Sequence, residues 1–469
     1  MSSERKSSIK HIAELMSQVK SLEDKNIKLQ KQVEQLSDEL EKYKTLASRY
    51  KLEAKENGKS KSPEGNTLRF KLATVMFADA HGFNNISTEM NSNLLVDNLD
   101  EIFIQLEKIV GKYEVRKLRS IGDTIMCAGG IPQKNMTNPI EVLLVAIDML
   151  YYIKDIQRTY GADKIWNLRV GVHTGPVTAI ISGRKKIQYE VKGETLNLAM
   201  RIRSFCEPGS LLISENTYEL VKDLFVCEYY TRMPVKYRGD IELYQVKGIK
   251  TNYSLQGKGI IPNRRFSTRF GLIQFTDLQE LMLNKLEREL PAYLYYHNVK
   301  HTIDVVTQVE LIGIGEGVDD EELLLLKTAA LFHDSGHILG YDEHEYFATL
   351  IAREVLPDYF YTQRQIDMVC DLIMATKMPP RPKNKLEKIM CDSDLDYLGR
   401  SDMIPVSNTL YRELKEMNKI GSLREWNKLQ IKFISGHQYY TKTAQSLREV
   451  NKQKQIERIT KLIEDETEH

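Results

Sequence analysis

Leu72-Ala-Thr-Val-Met-Phe77, closed by Ala78-Asp79-Ala80-His81-Gly82-Phe83, decides how the middle of the chain folds. The first six residues are a short apolar run of the kind that fills a buried strand. An aspartate at the end of such a strand, followed by a glycine turn and a helix, can hold Mg²⁺ while backbone N–H groups face phosphate. An amphipathic helix follows over Asn93–Tyr113. Next comes Val115-Arg-Lys-Leu-Arg119-Ser-Ile-Gly122-Asp123-Thr-Ile-Met126, which reads as two short strands joined by a Gly-Asp hairpin turn. Two carboxylates carried on a strand end and a hairpin are what a two-metal site needs to clamp an attacking and a leaving oxygen.

Outward from this core the chain divides into segments. Its 469 residues suggest roughly three units at about 150 residues each. Upstream, apolar residues keep a strict heptad phase: Ile12, Val19, Asn26, Val33, Leu40 and Ala47 at position a, with Leu15, Leu22, Leu29, Leu36, Tyr43 and Tyr50 at d. β-branched residues at a with leucine at d favour a parallel two-stranded coiled coil, and a single polar a residue, Asn26, fixes register. The expectation is a dimeric coiled coil over residues 9–56, a turn-rich linker over 57–69, an α/β domain over 70–255 and an all-α domain over 276–469. Lys+Arg number 66 and Asp+Glu 65, for a net charge of +1. That balance argues against a nucleic-acid or anionic-membrane coat. Five cysteines without paired spacing and no apolar leader or run of membrane length lead to the expectation of a cytoplasmic protein.

The middle segment resembles the class III nucleotidyl cyclases. The resemblance rests on Phe77-Ala-Asp-Ala-His-Gly-Phe83, Ile121-Gly-Asp-Thr-Ile-Met126, Leu168-Arg-Val-Gly-Val-His-Thr-Gly-Pro-Val177 and Gly193-Glu-Thr-Leu-Asn-Leu-Ala-Met-Arg201, in that order. It implies a ferredoxin-like α/β fold in a head-to-tail homodimer with active sites between the protomers. It further implies two Mg²⁺ or Mn²⁺ ions per site held by Asp79 and Asp123, with Asn197 and Arg201 acting from the partner side on ribose and phosphorus. Arg238 would hold the triphosphate, with Lys236 and Lys247 as rivals. The base-reading positions depart from the family, with Arg119 before the hairpin and Glu190 before Gly193. One cation and one carboxylate satisfy the edge of adenine, so ATP is expected ahead of GTP.

Of ten histidines, His297, His301, His333, His337 and His344 crowd together. Neutral imidazole is the commonest metal ligand, and His297 and His301 stand four apart, as on one helix face. His333-Asp334-Ser-Gly336-His337 follows an apolar helix, and Cys391-Asp-Ser-Asp394 offers a distant carboxylate. This segment resembles the HD superfamily of metal-dependent phosphohydrolases, and Tyr295-Tyr-His297-Asn-Val-Lys-His301-Thr-Ile-Asp-Val its cyclic-nucleotide phosphodiesterase branch. The resemblance assigns His301, His333, Asp334 and Asp394 to a divalent metal, with Asp392 as rival for the last place. It makes His297 the proton donor, with His337 and His344 facing a second metal or phosphate. No purine-clamping glutamine can be placed from the sequence. Two readings follow: a cyclase fused to a phosphohydrolase that acts on a phosphoester, the cyclic nucleotide included, or a regulatory protein in which one half senses nucleotide and controls the other.

Overall fold

The structure, a computed structural model, describes residues 67–81, 92–121, 124–161, 165–182, 188–236 and 239–465. The coiled coil expected over 9–56 lies outside the described residues, as do Asp123 and Arg238. The α/β half runs β1 (Thr67–His81), α1 (Ser92–Val110), β2 (Val115–Ile121), β3 (Thr124–Gly129), α2 (Asn138–Tyr160), β4 (Asn167–Ser182), β5 (Gln188–Lys192), α3 (Glu194–Phe205), β6 (Leu211–Ser214), α4 (Glu215–Val221), β7 (Phe225–Val235) and β8 (Gly239–Ile249). These strands make one sheet in the order β2-β3-β1-β4-β6-β8-β7, with β5 paired to β4. All the pairings along this order are antiparallel except β4 with β6.

Strand β1 is covered on both faces, which is why Leu72–Phe77 reads as an unbroken apolar run. Side chains alternate along a strand, so the two faces separate by parity. Met76, Ala78 and Ala80 join the core beneath α1 and α2, with Leu106, Leu143 and Met149. Ala73, Val75 and Phe77 face the other way and pack with Ala199 of α3. Asp79 shares the parity of this second face. In β4, Leu168, Val170 and Val172 belong to the first core, which leaves Arg169 and Gly171 on the second. Gly171 is there for close approach, since a Cβ at this position would stand 2.2 Å from the backbone N of Arg203.

The helical half contains α5 (Arg264–Glu289), α6 (Val299–Gly315), α7 (Asp320–Phe332), α8 (His344–Val355), α9 (Gln363–Ala375), α10 (Lys385–Asp394), α11 (Met403–Glu416), α12 (Leu423–Gly436) and α13 (Lys442–Asp465). Helix α5 starts ahead of residue 276 and enters both cores. Its Phe266 is buried with the α/β residues, and its Phe275, Leu278 and Met282 with the helical ones. Side-chain caps start the helices sharply, with capping boxes at Asp319/Glu322, Thr362/Gln365 and Ser422/Glu425. Helix α7 is buried from Leu324 to Phe332 apart from Lys327, and α5, α6, α8, α9 and α10 pack against it. Among the described residues no helix is long and apolar enough to cross a membrane.

Gly171→Ala is expected to push α3 off the sheet and destabilise the α/β half by about 1–3 kcal/mol. Thermal unfolding of the two chains side by side measures this, and an unchanged midpoint would show that α3 accommodates the methyl group.

Candidate active sites

On β1, Asp79 lies opposite Thr124 of β3 and Arg169 of β4 in the strand ladders. Its side chain is buried, with the residue 5% exposed. Arg169 forks onto it, Nε donating to Oδ1 at 3.2 Å and Nη2 to Oδ2. Arg203 of α3 brings Nη1 to 4.0 Å from Oδ2 and donates to Thr124 Oγ1 at 3.0 Å. Neither arginine was singled out from the sequence. The signal for Arg169 was its parity: a lone charge between Leu168 and Val170 must lie on the face that carries Asp79.

Helix α3 buries Thr195, Leu198, Ala199 and Ile202. Asn197, outside that buried set, is exposed. Arg201 is half-buried, and its Nη2 donates to the carbonyl of Pro234 at 2.6 Å. Glu190 is exposed on β5 and pairs with Lys192 at 3.1 Å. The backbone of Arg119 lies in β2. Lys247 is paired with Glu228 at 3.3 Å.

In the helical half the predicted residues converge. His301 comes from α6, His333 and Asp334 from the end of α7, and Asp394 from the last residue of α10. His301 Nε2 lies 3.3 Å from Asp334 Oδ2, 3.2 Å from Asp394 Oδ1 and 3.3 Å from His333 Nε2. His333 Nε2 lies 3.2 Å from Asp334 Oδ2 and 3.4 Å from Asp394 Oδ1. The Nδ1–H of His333 has the carbonyl of Ala330 at 2.8 Å, which turns the lone pair of Nε2 toward the cluster.

Such spacings belong to atoms sharing a coordination sphere of radius about 2.1 Å. Although Asp334 Oδ2 is close to both rings, it has no directed hydrogen-bond partner. Electrostatics agree with the geometry. Burial opposes charge on His301, yet the hydrogen bonds and charges of Asp334 and Asp394 outweigh it and push the imidazole up to about 9. The donor set thus favours a positive charge at its centre, and a divalent cation fits it.

A second group shares Asp334. Ligand atoms of His297, Asp334 and His337 lie within 4.8 Å of one another. His337 is 2% exposed, and neither ring nitrogen has a partner. Burial, reinforced by neighbouring His297, pushes its pKa down to about 2, so it is a neutral ring with a lone pair to offer. His344 stacks on it, with centroids 4.0 Å apart, and brings Nε2 to 3.6 Å from Asp334 Oδ1. Gly336 makes this packing possible, because a Cβ there would collide with the carbonyl of His344 at 1.8 Å.

One expectation fails in detail. His297 and His301 do not share a helix face, because α6 begins at Val299. Asn298 caps it, its Oδ1 accepting from the N–H groups of Lys300 and His301. His297 is instead held by Glu413 of α11, a fully buried residue that the sequence reading missed. Glu413 Oε1 lies 2.5 Å from His297 Nδ1, and Oε2 accepts the backbone N–H groups of Tyr296 and His297 at 2.9 and 3.2 Å. Burial works against its charge, but the bond to His297 and these N–H groups keep its pKa low.

Asp392 has a different task. It is fully buried and accepts the N–H groups of Tyr440 and Thr441 and the hydroxyl of Thr441. Of the two rivals, Asp394 is the one that reaches the histidines.

A cavity of about 320 Å³ opens beside His297, Asp334 and Asp394, with Met403, Trp426 and Phe433 in its walls. Gln430 also lines it. This residue is 6% exposed; its Nε2 donates to Asn427 Oδ1 at 3.4 Å, and its Oε1 has no partner.

Residues 66–248 match the family model of the adenylate and guanylate cyclase catalytic domain, and residues 298–396 that of the HD domain. Among similar curated proteins is a membrane guanylyl cyclase of Dictyostelium discoideum. It is 33% identical over 160 residues, which are 34% of this chain and 11% of that protein. Retinal guanylyl cyclase 2 of Bos taurus is 30% identical over 235 residues, 49% of this chain and 20% of that protein. The chain thus spans no more than a fifth of the length of these two relatives. Among solved structures, the adenylyl cyclase CyaB from P. aeruginosa is 30% identical, with a TM-score of 0.36, over 39% of this chain and 95% of that one. The guanylate cyclase domain of RhGC from Catenaria anguillulae in complex with GTP is 28% identical, with a TM-score of 0.35, over 39% of this chain and 100% of that one.

The two neighbouring aspartates should respond differently to truncation. Asp394→Ala is expected to weaken Mn²⁺ binding at least about tenfold in a folded protein. Asp392→Ala should leave the ion bound but cost about 3 kcal/mol, because three buried donors lose their acceptor. Equilibrium Mn²⁺ binding and thermal unfolding on both variants separate the roles, and equal ion loss in both would contradict the assignment.

Proposed function

The chain carries a class III nucleotidyl cyclase catalytic domain followed by an HD domain, and from that premise we propose that it makes a 3′,5′-cyclic purine nucleotide and hydrolyses the same class of molecule. In the first reaction the 3′-hydroxyl attacks the α-phosphorus and pyrophosphate leaves. Asp79 and Asp123 would hold Mg²⁺ or Mn²⁺, which when bound neutralises developing charge on the phosphoryl oxygens. Arg169, forked onto Asp79, neutralises that carboxylate. The outward side of α3 supports the assignment of Asn197 and Arg201 to the site of a second protomer, so the active unit is a homodimer. There Asn197 positions the ribose and Arg201 meets charge on the equatorial oxygens. Arg119 and Glu190 supply the cation and carboxylate that suit adenine, so ATP is the preferred substrate. The names of the guanylyl cyclase relatives favour GTP as a second reading.

The proposal for the helical half is carried by one observation: the apolar cavity with the buried Gln430 amide adjoins the His–Asp cluster. A flat purine fits between Phe433 and the apolar wall, with the unpartnered Oε1 accepting one of its N–H groups. His301, His333, Asp334 and Asp394 would hold a divalent ion, with His337 and His344 at a second position. When bound, such an ion polarises the phosphoryl group and activates water. Glu413 fixes His297 through Nδ1. His297 can then protonate the departing O3′ as the P–O3′ bond breaks. A purely regulatory reading, in which one half senses nucleotide for the other, draws support from Arg169 already engaging Asp79.

Incubation of the full chain with Mn²⁺ and either ATP or GTP, followed by chromatographic separation, tests the first activity. We expect cyclic product, and at least about a hundredfold less from Asp79→Asn. A folded dimer that gives no cyclic product from either triphosphate would rule it out. For the second activity, a chain carrying His333→Ala and Asp334→Ala should lose cyclic-nucleotide hydrolysis. Gln430→Ala should raise KM about tenfold with a much smaller change in kcat. Full turnover by the double variant would refute the site.

A further inference from the structure

A cleft of about 850 Å³ lies where the α/β half, α5 and the helical half meet. Its aromatic walls include Tyr113 from the first, Phe266 and Phe270 from α5, and Tyr359 and Tyr361 from the last. Glu141, in the first turn of α2, also lines it. This carboxyl group is 3% exposed. Its Oε1 accepts the Thr137 hydroxyl at 2.6 Å, whereas its Oε2 has no partner. The Asn135 amide Nδ2 is shared between Glu141 and Glu114, at 3.4 Å from each, and its Oδ1 is likewise unpartnered. Nearby Asp277 of α5 is occupied, accepting the N–H of Met136 at 2.8 Å. Of the cations lining the cleft, Arg264 is paired with Glu321 and Lys112 with Asp148, and Arg364 also lies in its wall.

A buried carboxylate oxygen without a donor is costly unless something supplies one. Burial first, and then the charges of Glu114 and Asp277, push the Glu141 carboxyl up to about 7, and among the described residues no cation forms an ion pair with it. A bare metal ion suits the place badly. Among the described residues, the only trios of ligand atoms close enough to hold one are the two in the helical half. An ammonium group differs, since it brings several N–H donors and is attracted to aromatic faces. The apolar walls would take up the body to which it is attached.

We propose that this cleft is a binding site for a small organic ammonium ion, a primary amine on an aromatic or short apolar body, with Glu141 Oε2 as its acceptor. Because α5 contributes to both cores, a ligand seated against Phe266 and Phe270 touches the one element that the two halves share.

Benzylamine is the probe, titrated calorimetrically at pH 8 into the full chain, with benzyl alcohol as its neutral counterpart. Saturable binding of one benzylamine per chain is expected, at least about tenfold tighter than the alcohol and weakened at least about tenfold by Glu141→Gln. Thermal unfolding checks that this variant is folded. If it is not, Ser267→Trp, an exposed position on the cleft wall, replaces it and must abolish binding by filling the space. Absence of saturation, equal binding of benzyl alcohol, or unchanged binding to the folded variant overturns the proposal. The readout is binding alone, so it stands or falls independently of either catalytic activity.

Discussion

Acceptor atoms held close together away from water repel one another, and the folded chain has to supply the free energy that keeps them there. Both candidate sites depend on this. Around Asp334, two imidazoles and two carboxylates come within 3.2–3.4 Å of each other, anchored at the ends of buried helices. The cores of α6, α7 and α10 resist the relaxation that would separate them. At Asp79 the same difficulty is met differently, by Arg169 clasping the carboxylate across one strand ladder. The helical cluster thus favours a positive charge at its centre, and a divalent cation fits it. The sheet site carries its own positive charge.

How far the arrangement could be read from the sequence depended on whether a residue's neighbours were local. His333 and Asp334 follow an apolar helix, so their position at its end was legible from periodicity. The resemblance placed Asp394 ahead of Asp392, and in the structure Asp392 is occupied by the backbone of residues 440 and 441. Such a partner, distant in sequence, leaves no local pattern. Glu413 escaped notice for the same reason. It reads as one more charge near the end of an amphipathic helix, and only the tertiary fold brings it to His297. The helix-face reading of His297 and His301 failed because the spacing fitted a helix while Asn298, a strong N-cap, starts the helix between them.

Gln430 shows the limit from the other side. A glutamine in a helix with a polar majority looks solvated, and nothing in Trp426-Asn-Lys-Leu-Gln430 says otherwise. Burial follows from where α12 docks, against α13 and with Trp426 beside Tyr411 of α11. Arg169 is the opposite case: strand parity fixed its face, and the information was present but unused. Residues on strands are therefore the easier ones to recover, since a period of two assigns every side chain to a face once one neighbour is known.

If the proposed synthesis and destruction of a messenger are joined in one chain, they are futile unless the two are coordinated, and coordination needs a physical link. Helix α5 is the candidate. Phe266 is part of one core and Phe275, Leu278 and Met282 of the other, along a single unbroken helix. A close-packed core transmits displacement because it has few voids to absorb it. A rotation of α5 that improves packing at Phe266 must alter the contacts of Met282, and α7, which delivers His333 and Asp334, packs on that same segment. The Asp277 bond to Met136 ties the helix to the loop before α2 as well. Any ligand or ion that changes the preferred position of α5 in one half therefore changes it in the other, and by linkage the influence runs in both directions.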